Sequence, residues 1–155
     1  MSHQESKIWK QRGADFFLGD QSSDVEKVGP GIYMLNFAPM IGVYASKIAE
    51  EFTFPFKIYG LEKDFIKKVP VRFASTTGNM GIIFNGIKGT GKTVTAKCVA
   101  NELKLPVFIV PENLPGVTQF INDIPQDITV FIDEFEKIFE AKPTLDEEGD
   151  ERSNS

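Results

Sequence analysis

The stretch Gly81-Ile-Ile-Phe-Asn-Gly-Ile-Lys-Gly-Thr-Gly-Lys-Thr93 decides how the rest of this chain is read. An apolar run leads into a glycine-spaced octet of the form G-x-x-x-x-G-K-[ST], and a helical pattern follows it. Gly86, Gly89 and Gly91 allow a tight turn whose backbone N–H groups point inward at the positive end of the next helix, where phosphate oxygens are held. The candidate triphosphate-binding set is therefore Gly86, Lys88, Gly89, Thr90, Gly91, Lys92 and Thr93. Lys92 would reach the β- and γ-phosphates and the Thr93 hydroxyl would ligate Mg²⁺. A purely structural turn gains nothing from Lys92-Thr93, because positive charge at a helix N-terminus is unfavourable without an anion.

Outward from this stretch, the second half alternates short apolar runs with helical patterns, which predicts an α/β protein with a mostly parallel sheet. Ile82–Phe84, Val107–Val110 and Ile128–Ile132 are nearly continuous apolar runs of strand length, as expected of strands covered on both faces. The helix opened by Gly91 would bury Ala96, Val99, Ala100 and Leu103 and turn Lys97, Asn101, Glu102 and Lys104 to water, with Pro106 stopping it. A second helix carries Val117, Phe120, Ile121 and Ile124 and is closed by Pro125, and a third is expected from Glu134, burying Phe135, Ile138 and Phe139. In the first half, Leu61, Phe65, Ile66 and Val69 predict a short amphipathic helix ended by Pro70. Ile32–Phe37 and Ile41–Ala45 read either as two strands or as a strand followed by a helix running through Glu51. Ile8-Trp-Lys10 and Phe16-Phe-Leu18 read as apolar anchors of an irregular N-terminal arm packed on the core.

The run Ile128-Thr-Val-Phe-Ile-Asp-Glu134 closes a strand with two carboxylates, about 40 residues after the glycine loop. In an open α/β sheet ligands collect at the carboxyl ends of strands, so both motifs are expected at one edge. Asp133 would hold the Mg²⁺ shell, directly or through water. Glu134 would orient and polarise the water that attacks the γ-phosphate. An Asp-Glu pair alone says little, since carboxylates favour the first turn of any helix; the glycine loop at compatible spacing gives it weight. Lys92 and Glu134 are thus the candidate catalytic residues, and Thr93 and Asp133 the candidate metal ligands.

Taken together, Gly86–Thr93 and Phe131-Ile-Asp-Glu-Phe-Glu-Lys137, with one strand and helix between the two motif strands, resemble the AAA+ ATPases over roughly Phe56 to Lys142. The resemblance implies Walker A and Walker B roles for these residues, a P-loop NTPase three-layer sandwich, and ATP with Mg²⁺ as cofactors. It implies hydrolysis coupled to remodelling of a macromolecular partner, in a homo-oligomeric ring. A segment ahead of the first motif strand would line the adenine pocket, here Ile58, Tyr59 and Gly60. Members continue past Walker B with a fourth strand lying between the first and third, a fifth strand, an arginine finger and a helical lid, and none of these is visible. The expectation is a sheet incomplete on its C-terminal side, marginal unless an N-terminal strand or further residues repair it, in the N-terminal portion of a longer ATPase. Residues 1–55 would form an arm or small subdomain packing on the core and residues 56–142 the nucleotide core. Residues 143–155, polar and acidic, would form a tail that does not fold alone, or a loop cut short. Threading members carry an aromatic-hydrophobic-glycine loop after the second strand; Val110–Gly116 has no aromatic, so peptide threading is unsupported.

Composition narrows the partners. A net charge of −5 over 155 residues weighs against a dedicated nucleic-acid binder, which needs a clustered basic surface. The lone Cys98 cannot form an internal disulfide and reads as a small core residue. With no secretory apolar region and no run of about 18 apolar residues, a cytoplasmic protein without a membrane span is expected. His3, the one histidine, sits at the start, which disfavours histidine catalysis. Two other functions stay open at this point. One is a nucleotide-binding assembly or scaffold module with little or no hydrolysis. The other is a P-loop small-molecule kinase, which would need an arginine-bearing lid where this chain has only Arg12, Arg72 and Arg152.

Overall fold

The computed structural model describes residues 8–19, 27–54, 63–84 and 91–133. Within them lie β1 (Ile8–Arg12), β2 (Asp15–Gly19), β3 (Gly31–Ala38), β4 (Gly42–Ala49), α1 (Lys63–Ala74), α2 (Lys92–Leu103), β5 (Pro106–Ile109), α3 (Val117–Asn122) and β6 (Thr129–Phe131). The strands form one sheet in the order β1-β2-β4-β3-β5-β6. β3 pairs β5 and β5 pairs β6 in parallel, whereas β1–β2, β2–β4 and β3–β4 are antiparallel. The α/β class holds, with a mixed sheet in place of a mostly parallel one. Gly13-Ala14 and Pro39-Met40-Ile41 are far too short for a parallel crossover of a dozen residues or more, so each can only turn the chain back antiparallel.

Two local expectations change, and one open alternative is decided. Ile8–Gly19, read as an irregular arm, is a hairpin whose Trp9 and Phe16 are buried. The segment after Ile41 is a strand and not a helix, with Val43 and Ala45 on the core side. The strand expected at Ile82–Phe84 is not formed: Gly81–Phe84 joins no ladder, and Ile83 is 84% exposed. Apolar β-branched composition makes a strand only where a neighbour supplies hydrogen bonds and a packed face, and among the described residues β6 pairs with β5 alone. The N-terminal strands do join the sheet, but along the opposite edge of β5.

Strand alternation divides the core into two faces. Tyr33, Leu35, Ala45 and Phe108 join Trp9 and Phe16 on one side, covered by Val117 and Phe120 of α3 and by Ile124. Ile32 and Val107 point the other way and meet Ala100 of α2, with Phe52, Ile109 and Phe131 around them. The described residues are thus layered helix, sheet, helix. α1 lies outside α2, its Ile66 and Val69 packed on Val99. It runs through Pro70, where a stop was expected. The ring removes a backbone donor to Ile66, yet Ile66 and Val69, both in the turn ahead of the ring, are buried against α2 and hold the helix there.

Aromatic stacking dominates the first face. Trp9 lies parallel to Phe108 at 5.8 Å and meets Phe120 edge-on at 5.8 Å, while Tyr33 stacks on Phe108 at 5.2 Å. One amide ties this face to the chain ahead of β6: Gln126 Oε1 accepts from Trp9 Nε1 (3.1 Å) and Val28 N (2.9 Å), and its Nε2 donates to Val28 O (3.0 Å).

Burial, and then the negative charge of Glu50, push Tyr33 up to about 12, and its hydroxyl donates to Gly29 O at 2.8 Å. An exposed tyrosine titrates near about 10, so folding favours the neutral phenol. That contribution is complete below about pH 10 and is lost as pH rises through about 12. Urea unfolding should therefore show the stability gap between wild type and Tyr33→Phe shrinking across this window. A gap independent of pH would mean that Tyr33 titrates as an exposed tyrosine does.

Candidate functional site

Gly91 caps α2 from a left-handed backbone conformation (φ 81°), with no side-chain cap among the described residues and no acidic residue in the first turn. A Cβ at Gly91 would meet nothing within 4 Å, so the demand for glycine is conformational and not steric. Thr95 N and Thr95 Oγ1 both donate to Gly91 O, at 2.9 and 3.0 Å. The intrahelical ladder therefore starts at Thr95, and the N–H groups of Lys92, Thr93 and Val94 have no partner within the helix. Four sources of positive potential converge here: three N–H groups and the Lys92 side chain, at the positive end of the helix dipole. Such an end suits an anion.

α2 closes at Lys104, whose backbone is left-handed (φ 54°) and whose N donates to Asn101 O at 3.3 Å. Two residues later the chain enters β5, and Ala100 packs in one cluster with Val107. The helix thus runs back against the strand direction, and its first turn points to the edge where β5 and β6 end. Val110 N donates to Phe131 O at 3.0 Å, fastening those two strand ends together. Asp133 follows β6 by two residues and is exposed at that edge. The start of α2 at Gly91-Lys92-Thr93 and the chain leaving β6 toward Asp133 accordingly both lie at the carboxyl ends of β5 and β6. Gly86, Lys88, Gly89, Thr90, Ile58, Tyr59, Gly60 and Glu134 lie outside the described residues, as does the helix expected from Glu134.

Donor chemistry selects among metals. No group of three or more His, Cys, Asp or Glu side chains is placed to hold an ion among the described residues. The Thr93 hydroxyl and the Asp133 carboxylate are hard oxygen donors. They fit Mg²⁺, which keeps several waters and takes substrate phosphates, rather than a metal that needs a nitrogen or sulfur cage. Cys98, half-buried against α1, has its thiol pushed up by burial and then by the Glu102 charge, so it stays protonated and acts as packing.

Two side chains beside this edge do more than the helical pattern suggested. Asn101, read as water-facing, grips the backbone of Phe52: its Nδ2 donates to Phe52 O and its Oδ1 accepts from Phe52 N, both at 2.9 Å. Lys97, also read as water-facing, sets its ammonium 5.4 Å from the centroid of the Phe52 ring. Periodicity sorts side chains by polarity, and it carries no signal that an exposed-type amide will find a backbone segment past β4, 49 residues away.

Residues 82–155 match the model of the ATPase family associated with various cellular activities (AAA). The matched segment is an AAA-family segment. The family so matched is, by its description, one of ATPases. An uncharacterized AAA domain-containing protein, ycf46, of Trieres chinensis is 30% identical over 106 residues, covering 56% of this chain and 21% of its own length. The chain thus spans about a fifth of that curated relative. No solved structure matches it. Among the described residues, no helix is long and apolar enough to cross a membrane.

Proposed function

We propose that this chain binds ATP with Mg²⁺ at the edge where α2 begins and β6 ends, and hydrolyses it to remodel a macromolecular partner. The observation that supports the reading is the glycine-opened first turn of α2, which begins Lys92-Thr93, together with the end of β6 two residues before Asp133. Backbone N–H groups of the Gly86–Thr93 loop would cradle the phosphates, and Lys92 would neutralise the β- and γ-phosphate oxygens. Thr93 and Asp133 would hold Mg²⁺, which when bound draws charge from the phosphates. Glu134 would accept a proton from the attacking water while orienting it in line with the γ-phosphate. Tyr59 and Gly60 would line the adenine side, and the assembly would be a ring of copies acting on a protein partner in the cytoplasm.

Lys92→Ala tests the binding half directly. A charged donor to phosphate contributes about 1.5–3 kcal/mol, so MgATP affinity should fall roughly 10- to 150-fold in a titration with a fluorescent ATP analogue. MgATP should also raise the melting temperature of wild type through mass action, and that of the variant by less at the same concentration. Equal affinity in the two proteins would remove Lys92 from the site.

A further inference from the structure

We propose that Phe52, gripped by Asn101, is a positioning device that sets the spacing between the first turn of α2 and the end of β6. The proposal rests on the nucleotide reading above and names what holds the metal-bearing part of that site in register.

Both backbone polar groups of Phe52 are taken by the one Asn101 side chain. Its ring lies against Phe131, with centroids 5.3 Å apart and planes at 49°, and carries the Lys97 ammonium at 5.4 Å on α2. Lys97 and Asn101 are one helical turn apart, so a single face of α2 holds the residue by backbone and by ring. Phe131 ends β6, two residues before Asp133. Phe52 is therefore a wedge touching the helix that starts at Lys92-Thr93 and the strand that leads to Asp133.

Among the described residues, little else registers α2 over the sheet. Of its two buried residues, Val99 faces α1, and Ala100 alone joins the sheet-side cluster. Alanine lets the helix come close but offers no shape that would stop it sliding. Mg²⁺ accepts ligands only near about 2.0–2.1 Å in octahedral array, so a small slide of α2 would separate Thr93 from Asp133 as joint ligands. The phosphate cradle moves with α2 and would be spared. Loss of the wedge should thus appear in the Mg²⁺ dependence of binding and not in phosphate binding itself.

The test uses the whole chain and a fluorescent ATP analogue, titrated once in excess EDTA and once in MgCl₂. Asn101→Ala should bind the analogue in EDTA as wild type does and lose about 10-fold or more of the affinity gained on adding Mg²⁺. Phe52→Leu, which keeps the backbone grip but removes the ring contacts, should show the same loss and guards against an unfolded Asn101→Ala. Gln126→Ala breaks a comparable amide grip on the opposite face; it should lower the melting temperature and keep the full Mg²⁺ gain. Full Mg²⁺ gain in Phe52→Leu, or an equal loss in Gln126→Ala, would overturn the positioning role while leaving the nucleotide site standing. Wild type that binds no analogue in either buffer would overturn the nucleotide reading, and this proposal with it.

Discussion

Glu134→Gln should leave MgATP binding close to that of wild type and lower hydrolysis by about 10²–10⁴-fold. The amide keeps the size and one acceptor of the carboxylate but cannot take a proton from water, so the loss falls on the chemical step. Asp133 and Lys92 are untouched by this change, which is why affinity is spared. The measurement is single-turnover hydrolysis of labelled ATP with the protein in excess. That format is needed because an arginine supplied by a neighbouring copy is worth about 10³–10⁵ in rate, and a chain assayed alone lacks it. Hydrolysis above background that is equal in wild type and Glu134→Gln would move the base elsewhere. Hydrolysis undetectable in wild type, Lys92→Ala and Glu134→Gln alike, with MgATP bound by wild type, would favour the nucleotide-dependent scaffold.

Trp9→Ala should destabilise the fold by about 3–5 kcal/mol, a large part of the 5–15 or so kcal/mol available to a domain. Trp9 is fully buried, stacked on Phe108, edge-on to Phe16 and Phe120, and bonded to Gln126. Truncation removes its apolar area, opens a cavity between β5 and α3, and leaves Gln126 Oε1 with Val28 N as partner. Urea unfolding followed by far-ultraviolet circular dichroism gives the difference without needing the tryptophan as reporter. A loss under about 1 kcal/mol would show that the β1–β2 hairpin is dispensable to the core. The consequence would reach the proposed site, because Phe108 belongs to the strand that pairs with β6, which leads to Asp133.

Motif spacing and periodicity alone established the α/β class, α2 with its glycine start, α3 over Val117 and Phe120, and the strands at Val107 and Thr129. These are local facts. A helix opening at Gly91 follows from a left-handed turn that glycine adopts without strain, and strands of continuous apolar residues follow from burial on two faces. Packing decided the rest. Whether Ile8–Gly19 was an arm or a hairpin, whether Ile82–Phe84 paired, and whether α1 survived Pro70 each depended on which neighbour was at hand to complete hydrogen bonds and cover apolar area. The same holds for Asn101, Gln126 and Phe52. An amide is polar in any pattern, and only a folded chain brings it to the one backbone segment whose donor and acceptor match its own.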